Sequence, residues 1–202
     1  MPKYILRYFD LKAYAEPSRL LFTLAGQEYE DIRYTREEWV TEKPKTPLGK
    51  IPVLEIDGKP FGQSNAIHRY LAKTFGFYGN GDLEALEIDQ VLGVVYDAYE
   101  AYLLYAVEKD EAVKAELMKG VKEVKVPLYF GMLEKLLKKS GSTGFFIGKK
   151  ITLADVSVFD LADKMESVVK LEDYPLVKKC SDNVLANPRI KAYVDKRLVT
   201  EM

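Results

Sequence analysis

The stretch "GKIPVLEIDGKPFGQSNAI", Gly49 to Ile67, decides the fold of the first part of the chain. Its β-branched apolar run from Val53 to Ile56 ends in Asp-Gly, a pair typical of a tight hairpin turn. A second short strand is expected at about Lys59 to Phe61. The apolar residues after Ser64 repeat at helical spacing, so Ser64 is predicted to be the N-cap of a helix. The stretch therefore predicts strand, turn, strand and helix in direct succession.

Pro52 stands at the entrance to this hairpin, although proline has no N–H to donate to a sheet ladder. Two interpretations are open. One is a trans proline on an edge strand, and the other is a cis bond after Ile51 that would present the preceding backbone to a ligand. Spacing alone favours the trans form, because only about 5% of such bonds are cis in folded proteins.

Short alternating elements precede this stretch. They are a strand near Tyr4 to Tyr8, a helix from about Pro17 to Ala25 that Gly26 ends, and a strand near Tyr29 to Tyr34. An irregular segment that holds Trp39 and Lys43 is expected to follow them. The order is βαβ and then ββα, which predicts a small α/β domain over residues 1–78.

The pattern changes after the turn-rich residues 78–82, where strand signals stop. An apolar stripe predicts one long helix from about Leu83 to Val107, and a second is expected from Glu111 to about Lys139. Thr152 and Asp155 form a short version of a capping box, and Asn187-Pro188 has the form of a helix start. Residues 83–202 are therefore predicted to form an all-α domain.

Composition excludes several classes of function. Lys and Arg number 30 against 31 Asp and Glu, and the net charge of −1 indicates no surface for nucleic acid. No run reaches the about 18 apolar residues of a membrane span, and the first residues lack the apolar core of a signal peptide. Cys180 is the only cysteine, so no intrachain disulfide forms and the expected compartment is the cytoplasm.

His68 is the only histidine, which limits the chemistry available. A hydrolytic triad could be built only around His68, and a zinc site would need carboxylates or Cys180 as further ligands. No motif supports either, and no metal is predicted. His68 lies beside the apolar positions of its helix, so an exposed or interface side chain is expected.

Three segments resemble one family in order and spacing. They are "YFDLKAYAEPSR", "EEWVTEKPKTPLGKIPVLEIDGKPFGQSNAIHRYLA" and "GKKITLADVSVFD", and they are similar to cytosolic glutathione transferases of the sigma class or a closely related nematode-like class. The resemblance covers essentially the whole chain. It implies a thioredoxin-like first domain, a cis Ile51-Pro52 bond and glutathione as co-substrate.

The same resemblance implies a set of site residues. Tyr8 is similar to the family's catalytic tyrosine, whose hydroxyl donates to the glutathione sulfur and favours the thiolate. The residues implied to contact glutathione are Tyr8, Trp39, Lys43, Gly49, Lys50, Ile51, Pro52, Gln63 and Ser64. Taken without the resemblance, the same residues also fit a packed tyrosine ring, a core tryptophan, solvated lysines and a plain helix cap.

Two further implications concern the helical domain. Asp97 lies about 160° from the Val95 stripe of its helix and so faces away from the core. By resemblance, Asp97 reaches the ligand's amino group across a two-fold interface, which implies a homodimer. Tyr14 stands where many sigma-class members have arginine, and it is predicted to line the electrophile pocket with Phe9, Tyr99 and Tyr102.

The predicted activity is attack of the glutathione thiolate on a hydrophobic electrophile, as in detoxification. Two other reactions of the same thiolate remain open, namely isomerisation of an endoperoxide to a prostaglandin and reduction of a lipid hydroperoxide. A different class also remains open: a carrier of hydrophobic ligands, or a structural lens-type relative that has lost turnover.

Overall fold

A computed structural model of the protein describes residues 2–197, and it contains the predicted hairpin within a four-stranded sheet. The strands are β1 (Tyr4–Phe9), β2 (Glu30–Tyr34), β3 (Val53–Ile56) and β4 (Lys59–Gly62). Asp57 and Gly58 form the turn at φ 50° and 84°. Both residues have the positive φ that a type I′ hairpin turn requires.

The sheet order is β2-β1-β3-β4, with β1 and β2 parallel and the other neighbours antiparallel. Arg7 pairs with Val53, and Val53 pairs with Gly62. The residues just before β3 therefore lie beside the end of β1, and those just after β4 lie at the same end of the sheet, one strand farther away. The Ile51-Pro52 bond at this place is cis and leads into an interior strand, so the trans edge-strand interpretation is wrong and the form implied by the resemblance is confirmed.

Three helices accompany the sheet: α1 (Glu16–Ala25), α2 (Arg36–Glu42) and α3 (Ser64–Phe75). Gly26 ends α1 at φ 67°, as predicted. The segment expected to be irregular is α2, because Thr35 and Glu38 form a reciprocal capping box at its start. Ser64 is the first residue of α3 and not its cap. Gln63 holds the N-cap position at φ 72°, with no side-chain capping bond.

The helices that follow are α4 (Asp82–Val107), α5 (Glu111–Gly120), α6 (Val126–Lys139), α7 (Leu153–Lys164) and α8 (Pro175–Leu185). The single long helix predicted from Glu111 is thus divided, because a π-helical turn, Val121–Lys125, joins α5 to α6. Pro127 has no N–H for the helical ladder, which is a physical reason for the wider turn before it. The Asp155 carboxylate accepts from the Thr152 backbone N–H at 2.7 Å, as the predicted capping arrangement requires.

The described residues up to Phe77 and those from Asn187 onward form one unit of the chain, and Tyr78–Ala186 form the other. The last helix within residues 2–197, α9 (Pro188–Val194), begins at the predicted Asn187 cap. Arg189 Nη1 donates to the Leu24 carbonyl at the end of α1, at 3.0 Å. The described residues from Asn187 to 197 therefore group with the sheet by their contacts, and an all-α domain over residues 83–202 stays a prediction.

Candidate active site

One end of the sheet collects residues that are far apart in sequence. Tyr8 lies near the end of β1, Ile51 just before β3, and Gln63 and Ser64 just after β4. Tyr8 belongs to a buried cluster with Leu6, Ala13 and Ala15, and Ile51 packs against that cluster. The strand register thus places the predicted catalytic tyrosine and these three residues implied to contact glutathione at the same end of the sheet.

The Tyr8 phenol is enclosed, with 5% of the residue exposed. Its oxygen accepts a hydrogen bond from the Tyr14 backbone N–H at 3.4 Å. Burial raises the pKa of Tyr8, while the Tyr14 N–H and the positive charge of Arg19 partly oppose that rise. The phenol therefore keeps its proton at neutral pH. Because its oxygen accepts from Tyr14, the O–H itself is available to donate to an anionic sulfur.

Tyr14 contributes through its backbone at this position. Its half-buried side chain packs against the cluster around Tyr8, together with Phe9 and Leu11. The sequence predicts a role only for the side chain of Tyr14, as a wall of the electrophile pocket. No residue-type signal marks a backbone donor, so the sequence offered no means of finding it.

Trp39 reaches the same region through Phe9. The indole and the Phe9 ring meet edge to face with centroids 5.9 Å apart, and the Phe9 and Tyr8 centroids are also 5.9 Å apart. Helix α2 carries Trp39, and its Arg36 guanidinium lies 5.3 Å from the Phe9 centroid. The three aromatic side chains therefore form one continuous row that ends at the Tyr8 phenol.

Two lysines supply positive charge on the segment between α2 and β3. Lys43 and Lys50 are exposed, and neither forms an ion pair with any residue among 2–197. By contrast, neighbouring Lys45 pairs with Glu42 at 2.6 Å. Gly49 lies beside Lys43, since a Cβ there would be 3.9 Å from Lys43 Cε. An ammonium without an internal carboxylate partner suits an external carboxylate.

The start of α3 supplies backbone donors. The first N–H groups of a helix have no partner within the helix and favour anions. Ser64 is half-buried at this start, and Gln63 precedes it at φ 72°, a conformation unusual for a residue other than glycine. The sequence pattern did not predict this backbone turn, which leads directly into the first turn of α3.

The predicted residues of the second unit lie on α4. Asp97 is exposed, as its helical position predicted, whereas Tyr99 and Tyr102 are buried. The Lys164 ammonium lies 4.9 Å from the Tyr99 ring centroid, and burial raises the pKa of Tyr102. Because Phe9 and Tyr14 belong to the first unit, a pocket shared by the four aromatic residues stays a prediction.

His68 departs from its expected exposed or interface position. Only 4% of the residue is exposed, and its Nε2 lies 3.2 Å from the Tyr14 carbonyl oxygen. A carbonyl oxygen only accepts, so Nε2 carries the hydrogen. Burial is tolerated because this polar atom has a partner. Within residues 2–197, no three or more His, Cys, Asp and Glu side chains are grouped for a metal ion.

Comparison with known proteins identifies the family. The model "Glutathione S-transferase, N-terminal domain" matches residues 5–73, and "Glutathione S-transferase, C-terminal domain" matches residues 96–197. Glutathione S-transferase S1 of Drosophila melanogaster is 40% identical over 98% of this chain and 80% of its own. S-crystallin SL11 of Nototodarus sloanii is 35% identical over 98% of each chain.

A solved structure agrees with these matches. The Nu-class GST of Haemonchus contortus is similar with a TM-score of 0.92 and 34% identity, over 100% of both chains. Within the described residues, no helix has the length and apolar character needed to cross a membrane. Two family models and relatives of this similarity over nearly the whole length show that the chain belongs to the glutathione S-transferase family of enzymes.

Proposed function

We propose that the chain activates the thiol of glutathione at Tyr8 and transfers the thiolate to a hydrophobic electrophile. The observation that carries the proposal is the buried Tyr8 phenol, which accepts from Tyr14 and keeps its own O–H for a ligand. A hydrogen bond to the charged form of an acid lowers its pKa. A glutathione sulfur placed at this hydroxyl is therefore stabilised as the thiolate, which is the nucleophile.

The rest of glutathione is proposed to bind along the end of the sheet that carries Tyr8. The backbone of Ile51, between Gly49 and Pro52 in sequence, pairs with the cysteinyl residue as an added strand would. Gln63 and Ser64, at the start of α3, bind the γ-glutamyl carboxylate. The glycyl carboxylate meets the lysines implied by the resemblance, Lys43 and Lys50, with the indole N–H of Trp39 beside them.

The finer assignments are proposed on the family resemblance. They are membership of the sigma class, a homodimer to which Asp97 contributes across a two-fold axis, and a cytoplasmic location. The exposed position of Asp97 supports the second of these. The electrophile pocket is assigned to Phe9, Tyr14, Tyr99 and Tyr102. All chemistry in the proposal is supplied by side chains and backbone, so no metal is required.

Calorimetric titration with glutathione tests the placement of the tripeptide. Replacing Lys43 and Lys50 together with alanine is expected to weaken binding about tenfold or more, because two charge-assisted contacts to one carboxylate are lost. Lys45→Ala is the matched control, since Lys45 lies on the same segment and pairs with Glu42. Glutathione amidated at the glycyl carboxylate should bind the wild type and the double variant alike. Equal loss for both ligands would contradict the assignment.

A structural or ligand-carrying protein is the second candidate, and the match to an S-crystallin is the observation that favours it. Conjugation of chlorodinitrobenzene separates the two. The transferase proposal predicts glutathione-dependent conjugation that Tyr8→Phe strongly reduces. Glutathione binding with no conjugation would favour the carrier, and absence of both would favour a structural role.

A further inference from the structure

We infer that His68 is a positioning residue for thiol activation, because it fixes the Tyr14 peptide whose N–H meets the Tyr8 phenol. The inference rests on the proposed function and adds a residue to it. His68 touches no reacting atom in this account. It acts through the backbone of Tyr14.

Residue Tyr14 is held at both of its backbone polar groups. Its N–H donates to the Tyr8 hydroxyl oxygen at 3.4 Å, and its C=O accepts from His68 Nε2 at 3.2 Å. His68 is almost fully enclosed on α3, with 4% exposed. An imidazole enclosed in this way has few alternative rotamers, so it holds the carbonyl at a defined place.

The segment that carries Tyr14 needs such support. It forms a short 3₁₀ turn, Ala13–Ala15, in which Ala13 has φ 27°. A positive φ is costly for a residue with a Cβ and persists only where the surroundings impose it. Arg19 Nη1 holds the other side of the segment by donating to the Leu11 carbonyl at 2.7 Å. The turn is therefore fixed from α1 by Arg19 and from α3 by His68.

The position of the Tyr14 N–H decides how the phenol behaves. When this N–H occupies the phenol oxygen, the phenol O–H is directed elsewhere, toward the place proposed for the sulfur. The N–H also opposes the effect of burial on the phenol, which makes the O–H a better donor. If the Tyr14 peptide moves away, the phenol O–H is no longer directed toward the sulfur and becomes a weaker donor. Donation to the thiolate therefore weakens.

Three substitutions of His68, which differ in whether a donor can reach the Tyr14 carbonyl, test this inference. Leucine removes the donor, glutamine places an amide N–H near the former Nε2, and asparagine offers an amide too short to reach the carbonyl. Ile67→Val is the packing control, since Ile67 is a buried neighbour on the same helix. The readouts are the ultraviolet titration of the bound glutathione thiolate, the pH profile of kcat/KM, and the affinity for S-methylglutathione.

His68→Leu and His68→Asn are expected to raise the pKa of the bound thiol and to lower kcat/KM at neutral pH about three- to tenfold, as for the loss of one hydrogen bond. His68→Gln should restore most of this loss. S-methylglutathione affinity should stay within about twofold in all variants, because the tripeptide contacts are untouched. Ile67→Val should lower the unfolding temperature and leave the thiol titration unchanged.

Two outcomes would overturn the role of His68. One is a bound thiol that keeps its wild-type pKa in His68→Leu and His68→Asn. The other is an equal loss of kcat/KM in His68→Gln and His68→Asn. If His68→Leu does not fold, the thiol pKa of His68→Gln compared with that of His68→Asn tests the role of His68. A wild-type protein that leaves the bound thiol unperturbed would instead refute the proposed function, and the inference with it.

Discussion

The Tyr8 phenol and the Asp155 carboxylate are both buried polar groups, and burial raises the pKa of each. They differ in how their hydrogen bonds are completed. Asp155 accepts from the Phe146 N–H, from the N–H and hydroxyl of Thr152, and from the Cys180 thiol. Among the described residues the Tyr8 O–H has no acceptor, although its oxygen accepts from Tyr14.

This difference separates a stabilising cluster from a reactive one. A carboxylate with all of its bonds supplied by the chain ties α7 to α8 and to the segment before α7, and it offers nothing to a ligand. A phenol that is held by its oxygen and keeps its proton presents a fixed donor at low solvent exposure. Substitution at the two sites should therefore change different properties of the protein.

The largest effect is expected at Asp155. Asp155→Ala leaves the N–H groups of Phe146 and Thr152 without their acceptor, so the free energy of unfolding should fall by about 4 kcal/mol. Denaturant unfolding measures this loss, and glutathione binding by the remaining folded protein should persist. A loss below about 1 kcal/mol would show that the cluster is not the stabilising one.

Tyr8→Phe should produce the opposite pattern. Removing the Tyr8 donor should raise the pKa of the bound thiol, leave less thiolate at neutral pH and lower kcat/KM about a hundredfold. Stability should change by less than about 1 kcal/mol, because only the weak bond from Tyr14 is lost. Conjugation kinetics and denaturant unfolding on the same preparation measure both quantities. A Tyr8→Phe variant that keeps its activity but unfolds easily would show that Tyr8 stabilises the fold and does not serve the reaction.

The smallest effect is expected at Cys180, whose thiol is buried and has its pKa raised by burial beside Asp155. Cys180→Ala removes one of several donors to the carboxylate and should cost about 1 kcal/mol. Cys180→Ser keeps a donor and serves as the control. Both variants should retain full kcat/KM. A loss of activity in either would connect this cluster to the reaction.

The elements of the fold that the sequence predicted are those with local signals. The Asp57-Gly58 hairpin, the Thr152–Asp155 cap and the exposed position of Asp97 each follow from residues within one turn or one helix. Helix α2 also had a local signal in its capping box. It has no buried residue and therefore no apolar stripe, so hydrophobic periodicity does not predict it.

The features that were not predicted depend on distant residues or on backbone conformation. His68 is buried because its partner, the Tyr14 carbonyl, is 54 residues away in sequence. Gln63 takes a positive φ that nothing about glutamine indicates. The candidate site could thus be assigned residue by residue from resemblance, whereas the backbone donor that holds the phenol required the structure.

The ionisation of bound glutathione reports directly on thiol activation by Tyr8. Ultraviolet absorbance of the thiolate, followed against pH in the wild type and in Tyr8→Phe, gives the pKa of the bound thiol. Activation by Tyr8 predicts a wild-type value well below the about 8.5 of a free thiol, with a return toward that value in Tyr8→Phe. A bound thiol that titrates as in solution, or equally in both proteins, would contradict activation by Tyr8.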